Sequence, residues 1–151
     1  MRLMHSRPQQ RPLNDLDGDE IQNQFQIARR LHELVSEHPD FDVLGPPAHD
    51  VYRLRYVPNG LIGREEEPEV TRLLDHLNQE IVEMVRRCGF ASVMRTTVES
   101  CVAIQISISP AIAPTDDIDA TFEVIARWGR LLNKKNCLRS ERTTEMEAQL
   151  C

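Results

Sequence analysis

Residues 68–109 read PEVTRLLDHLNQEIVEMVRRCGFASVMRTTVESCVAIQISIS. The hydrophobic period changes halfway along this stretch. In its first part Val70, Leu73, Leu74, Leu77, Ile81, Met84 or Val85, and Cys88 recur at helical spacing. Pro68 suits a first helical turn, where its missing N–H costs nothing. Glu65, Glu66, Glu67 and Glu69 favour the positive end of the helix dipole. Arg86 and Arg87 suit its last turn, and Gly89 fits the position just past the end. In the second part the period falls to two. Strands are expected at 91–98 and 101–109, joined by Glu99-Ser100 as a hairpin. Val102, Ile104, Ile106 and Ile108 face a core, and Gln105, Ser107 and Ser109 face away. A one-residue slip would expose all four apolar side chains.

Upstream, Tyr52, Leu54 and Tyr56 alternate with Arg53 and Arg55, predicting a half-buried strand over 51–57. A shorter strand is expected at 41–44, with Gly45-Pro46-Pro47 as the turn between them. Before these, Ile21, Phe25, Ala28, Leu31 and Leu34 or Val35 share a helix face. That helix stops at His38-Pro39, because a residue before proline avoids helical angles. Downstream, Pro110 and Pro114 bracket a loop and Thr115 is placed to cap a third helix. Its stripe is Ile118, Phe122, Ile125, Trp128 or Gly129, and Leu132, and Lys134 and Lys135 close its last turn. The order αββαββα predicts an α+β fold: a small, mostly antiparallel sheet of three to four strands with helices on one face. Residues 1–19 read as a flexible leader, 20–135 as the folded domain, and 136–151 as a polar tail.

Composition narrows the function. The chain has 151 residues, a formal net charge of −6 and only 5% aromatic residues. A negative field argues against nucleic acid as a partner. No apolar run approaches the roughly 20 residues that cross a bilayer, so no membrane partner is expected. The first 13 residues lack the apolar core of a secretory signal, and the acids from Asp15 to Glu20 argue against a transit peptide. Cys88, Cys101, Cys137 and Cys151 form no C-x-x-C pair, which fits a reduced, cytoplasmic setting.

Few residues carry chemistry. His76 and Glu80 have the i, i+4 spacing of two metal ligands but lack a third, so a solvated helix face is the simpler reading. His32 reads as a helix-surface histidine, and Cys88 and Cys101 as small core residues. Lys134 and Lys135 are the only lysines, in a polar helix end with nothing to lower their pKa. No catalytic, cofactor-binding or metal-binding residue is therefore assigned. Two surfaces are. Arg53, Arg55 and Gln105, with Arg95 and Ser107, could form a polar sheet face that binds a carboxylate, a phosphate or another protein, or is simply solvated. Ile21, Phe25, Ala28 and Leu31 form an apolar helix stripe that needs cover, from its own sheet or from a partner.

These residues carry a family resemblance. Leu77-Asn78-Gln79-Glu80-Ile81, continuing through Val85 to Gly89, resembles the "LN..I...+...G" helix of the group II pyridoxal-phosphate (PLP) decarboxylases. That family includes the aromatic-amino-acid, glutamate and diaminobutyrate decarboxylases. Ile27 to Leu34 is similar to the helix entering their C-terminal small domain. Phe41 to Leu44 and Val51 to Arg55 resemble its first strands, Thr96 to Ser109 its strand-turn-strand, and Asp116 to Leu132 its last helix. The resemblance covers residues 20–135 and lies nearest the diaminobutyrate type, from the Gly89–Thr97 stretch and the Trp128–Leu132 ending. Glu99-Ser100-Cys101 departs from the family hairpin, which carries a glycine. Gln105 stands where the family has an arginine, and Ser109 or Pro110 where it has an asparagine.

The resemblance implies a fragment or split subunit of an amino-acid decarboxylase. The lysine that holds PLP belongs to a large domain whose segments are not found here. The chain alone is then expected to be inactive and to bind no cofactor. Its partner would be a PLP-binding large-domain chain or a full-length relative. The alternatives are a free-standing interaction module or pseudoenzyme, or a regulatory domain that binds a small molecule.

Overall fold

In the computed structural model, which describes residues 18–45, 48, 50–108 and 116–150, residues 68–108 form a helix and then two strands, as their two periods require. Leu73, expected on the apolar stripe of that helix, is instead 40% exposed, at the edge of the buried line through Val70, Leu74, Leu77 and Ile81. Side chains are described for 21–45, 48, 50–108 and 118–137. The elements are helix α1 (Gly18–Glu37), strands β1 (Phe41–Val43) and β2 (Val51–Tyr56), helix α2 (Pro68–Arg87), strands β3 (Val93–Val98) and β4 (Cys101–Ser107), and helix α3 (Asp116–Leu150). All strand pairs are antiparallel, in the order β1-β2-β4-β3. The expected α+β order is thus present, with four strands. Residues 1–17 of the 1–19 leader, Pro46, Pro47, Ser109, the Pro110–Pro114 loop and the Thr115 cap lie outside the described residues.

Register assigns each strand residue to a face, because directly paired residues point to the same side. Phe41↔Tyr56, Tyr52↔Ile106, Leu54↔Ile104 and Val93↔Ile106 put these side chains together. They form one core with Ile27, Leu31 and Val35 of α1, Leu77, Ile81 and Val85 of α2, and Ile118, Phe122 and Ile125 of α3. Full burial of each such side chain contributes about 1.5–3 kcal/mol. Helix α2 packs on β2, β3 and β4, α1 on β1 and β2, and α3 on both other helices.

Helix α2 ends as read: Cys88 is its C-cap and Gly89 takes φ +100°, the left-handed conformation that favours glycine. Cys88 itself is exposed and Cys101 half-buried, so neither is the core residue expected. Cys88 caps the end of α2, past Val85, the last buried residue of that helix. The hairpin is tight: Val98 pairs with Cys101, leaving Glu99 (φ +48°) and Ser100 (φ +68°) as its two-residue turn. Both residues bear side chains in a conformation that favours Asn and Gly.

Helices α1 and α3 differ from expectation. Helix α1 starts at Gly18, inside the segment read as leader, with Asp19 and Glu20 in its first turn. Its buried line is Gln24, Ile27, Leu31 and Val35, whereas Phe25 is 60% exposed. Two overlapping stripes share Leu31, and the one chosen lets Gln24 Nε2 donate to the Ile108 carbonyl (3.2 Å). Helix α3 runs past Leu132 through the polar segment to Leu150, and no Pro or Gly interrupts residues 130–150.

Candidate functional site

The residues that carry the family-like pattern lie at the junction of α2 with β2. The β2–β4 ladder ends at Leu54↔Ile104. Beyond it the backbone groups of Tyr56 and Val102 lose each other as partners, and α2 replaces them. Asn78, fully buried, accepts from Tyr56 N at Oδ1 (2.8 Å) and donates from Nδ2 to the Tyr56 carbonyl (3.0 Å). Its Nδ2 also reaches the Leu74 carbonyl (2.8 Å). Asp75 Oδ1 accepts from Val102 N (2.9 Å) and from Arg55 Nη2 (2.9 Å). Asn78 thus acts as a strand partner built from a side chain, satisfying groups that burial would otherwise leave unpaired. Leu77 and Ile81 pack beside it in the core. The Leu77–Ile81 pattern therefore encodes a helix–sheet joint, and none of its buried side chains is free for chemistry.

Arg55 shares this joint. Register with Asp42 puts it on the face away from the helices, yet it is only 5% exposed and tied to Asp75. Its Nε has no partner among the described residues. Arg53 and Gln105, by contrast, are brought together as expected: they pair in register, and Arg53 Nε donates to Gln105 Oε1 (3.3 Å). Arg95 is not on this face. It pairs with Ile104 and donates to Gln79 of α2 (3.0 Å), which places it at the helix-covered side. The open face of the sheet thus carries Asp42, Val51, Arg53, Arg55, Met94, Thr96, Val98, Cys101, Ala103, Gln105 and Ser107. Met94 is 47% exposed there. Burial, then the neighbouring Glu65, pushes the Asp42 carboxyl above its usual value, and Arg55 partly offsets this.

The α1 stripe is divided. Leu31 is wholly inside the core, Ala28 packs partly against it, Ile21 is half-buried, and Phe25 points to solvent. Leu31 is therefore unavailable to a partner. Arg30 forks onto Asp119 of α3 (2.9 and 3.1 Å), which holds that carboxyl below its usual value. Nearby, Leu34, His38, Phe122, Ala126 and Arg130 line a shallow groove of about 320 Å³. His38 sits edge-on to Phe41 and Phe122 at its base.

Other polar groups take structural places. His32 Nδ1 meets the Tyr52 hydroxyl (3.0 Å), and burial pushes both Tyr52 and Tyr56 phenols up to about 12. His76 contacts Glu80 on an exposed face of α2. Among the described residues no three His, Cys, Asp or Glu gather around a possible metal ion. Lys134 and Lys135 are both exposed on α3, so neither fits the desolvated lysine that a PLP Schiff base requires. No described helix is long and apolar enough to cross a membrane.

No protein-family model matches the chain. Its fold, however, is similar to part of several decarboxylase crystal structures. Oryza sativa TDC with PLP and tryptamine superposes with a TM-score of 0.64 at 18% identity, covering 76% of this chain and 23% of that one. Catharanthus roseus tryptophan decarboxylase in complex with L-tryptophan gives 0.62 at 15% identity, covering 76% and 22%. The glutamate decarboxylase domain of the diaminobutyrate-pyruvate transaminase and L-2,4-diaminobutyrate decarboxylase from Vibrio parahaemolyticus gives 0.56 at 18%, covering 74% and 22%. The chain thus spans less than a quarter of the length of each of these structures. At these identities the likeness is one of fold.

Proposed function

We propose that this chain is the small domain of a PLP-dependent amino-acid decarboxylase and works only with a large domain that carries the cofactor. One observation supports this above the others. About three-quarters of the chain superposes on enzymes with that activity, while spanning under a quarter of them. In such an enzyme PLP supplies an electron sink for the chemistry at the amino acid. This chain holds no buried lysine for the cofactor, so its part is to pack against the domain that does.

The test is native purification of a tagged chain from cells that make it, with mass spectrometry of whatever travels with it. The expected result is a stoichiometric partner, or a longer polypeptide with the same peptides, that carries a lysine-bound PLP domain. Amino-acid decarboxylation should then depend on both parts. Recovery of the chain alone, with no PLP absorbance in the pool, would overturn the proposal. The reading as a free-standing interaction module draws on the open sheet face and predicts a partner without PLP.

A further inference from the structure

We infer that the groove between α1 and α3 is a binding site for a small monocarboxylate with an aromatic or branched apolar body, held at its carboxylate by Arg130 and His38. This goes beyond the proposed function and does not rest on it.

The groove has an apolar floor with fixed shape. Leu34 and His38 stand one turn apart at the end of α1 and just past it, and Phe122, Ala126 and Arg130 follow at one-turn steps along α3. Phe122 and Ala126 are part of the core, and Leu34 packs against it. Phe122 and His38 also belong to one ring cluster with Phe41. The Phe41 and Phe122 centroids are 5.1 Å apart, and His38 stands edge-on to Phe41 at 4.9 Å and to Phe122 at 5.9 Å. Rings locked in this way offer a preformed surface to another ring or a branched alkyl group. The volume of about 320 Å³ lies at the small end of ligand pockets, which run to roughly 300–1,000 Å³.

The polar groups around this floor select the charge of the ligand. Two acids line the groove, and each has an arginine of its own. Asp119 is held by the Arg30 fork (2.9 and 3.1 Å), and Glu123 faces Arg127 (3.8 Å). Arg130 differs: among the described residues its guanidinium has no hydrogen bond and no ion pair. It acts on the Tyr56 phenol, as Asp40 does with opposite sign, but Asp40 and Arg130 are not in ion-pair contact. His38 Nδ1 accepts from Asp40 N (3.2 Å), which puts the proton of the neutral ring on Nε2. That N–H has no acceptor among the described residues. The groove thus presents a free guanidinium and a ring N–H, a donor set that suits a carboxylate. A second negative charge on the ligand would meet Asp119 or Glu123, which restricts the class to monocarboxylates.

The experiment titrates the full chain with 3-phenylpropionate and follows backbone amides by NMR, with the melting temperature of each variant measured to confirm folding. Amides of residues 34–38 and 119–130 should shift, with a dissociation constant of about 1 mM or tighter. Arg130→Gln should weaken binding about tenfold or more, and Arg130→Lys by less. Lys135→Gln makes the same charge change outside the groove and should leave binding unchanged. Arg130 and Lys135 are both exposed, so these variants should fold. Phenethylamine, which lacks the carboxylate, and acetate, which lacks the ring, should each bind at least about tenfold more weakly. Equal binding of phenethylamine would reduce the contact to apolar adhesion, and equal binding of acetate would reduce it to ion pairing; either result overturns the ligand class. Full affinity in Arg130→Gln overturns the site. So do shifts centred on Arg53 and Gln105, the other free guanidinium, and so does a dissociation constant above about 10 mM.

Discussion

The two faces of the sheet come from alternate residues of the same strands, yet they are specified to very different degrees. On the covered face Tyr56 is fixed from several directions. Asn78 binds its backbone, Phe41 meets its ring edge-on (centroids 5.2 Å apart), and α3 passes so close that only a glycine fits at position 129. On the open face Arg53 touches Gln105, while Met94 stands largely free. Where water is excluded, each polar group needs a partner and each volume must match. Where it is not, folding tolerates many residues.

The comparison can be broken most easily at Asn78. Asn78→Ala leaves Tyr56 N and O without partners inside the core and should cost about 3 kcal/mol in urea unfolding. A cost below about 1 kcal/mol would show that water enters the joint and that the covered face is less demanding than argued. Gly129→Ala comes next. Its new Cβ would lie 2.9 Å from Tyr56 Cδ2 and Cε2, and overpacking should cost about 1–3 kcal/mol despite the better helix propensity of alanine. An unchanged melting temperature would mean the ring can move aside.

At the rim, between the two faces, the sign should reverse. Replacing Glu99-Ser100 by Asn-Gly relieves two left-handed residues and should stabilise by about 1 kcal/mol. On the open face, Met94→Thr should change stability by less than about 0.5 kcal/mol, since nothing described covers it. A larger loss would mean that Met94 serves the fold. Asp42→Asn gives the smallest effect and a pH signature. Burial, and then Glu65, raises the folded pKa of Asp42, so its ionisation opposes folding. The penalty is absent below the unfolded pKa and complete above the folded one. The variant should melt slightly higher than wild type at neutral pH and match it in acid.

Much of the fold was legible because several signals agreed at single places. Pro68, the Val70–Val85 stripe and Gly89 mark the start, face and end of α2, and the structure keeps all three apart from Leu73, which it leaves exposed. Ile104, Ile106 and Ile108 fix the phase of β4 by strict alternation. Legibility failed where two answers were locally equal. Helix α1 offers stripes through Phe25 or through Ile27, and the choice turns on the Ile108 carbonyl, 84 residues away from Gln24. Arg95 in VMRTTV has no strong alternation to fix its side, and register with Ile104 decides it. Arg55 reads as an exposed partner of Arg53, because nothing nearby in sequence announces that Asp75 will reach it.

For the candidate site, Arg53 and Gln105 were recognisable from alternation alone, whereas Met94 was not. Its face depends on the β3–β4 register, which the Glu99-Ser100 turn sets. Asn78 was visible as part of a pattern, but its role was not.

The sequence by itself determined the order of helices and strands, the antiparallel hairpin and the ends of α2, because period, caps and turn residues act over a few positions. Only the tertiary structure decided which stripe of α1 goes inward and which arginine stays free. It alone made Asn78 a strand partner and left one sheet face open. Those outcomes depend on groups brought together from distant parts of the chain, where burial makes an unpaired polar atom costly and local preference has no say.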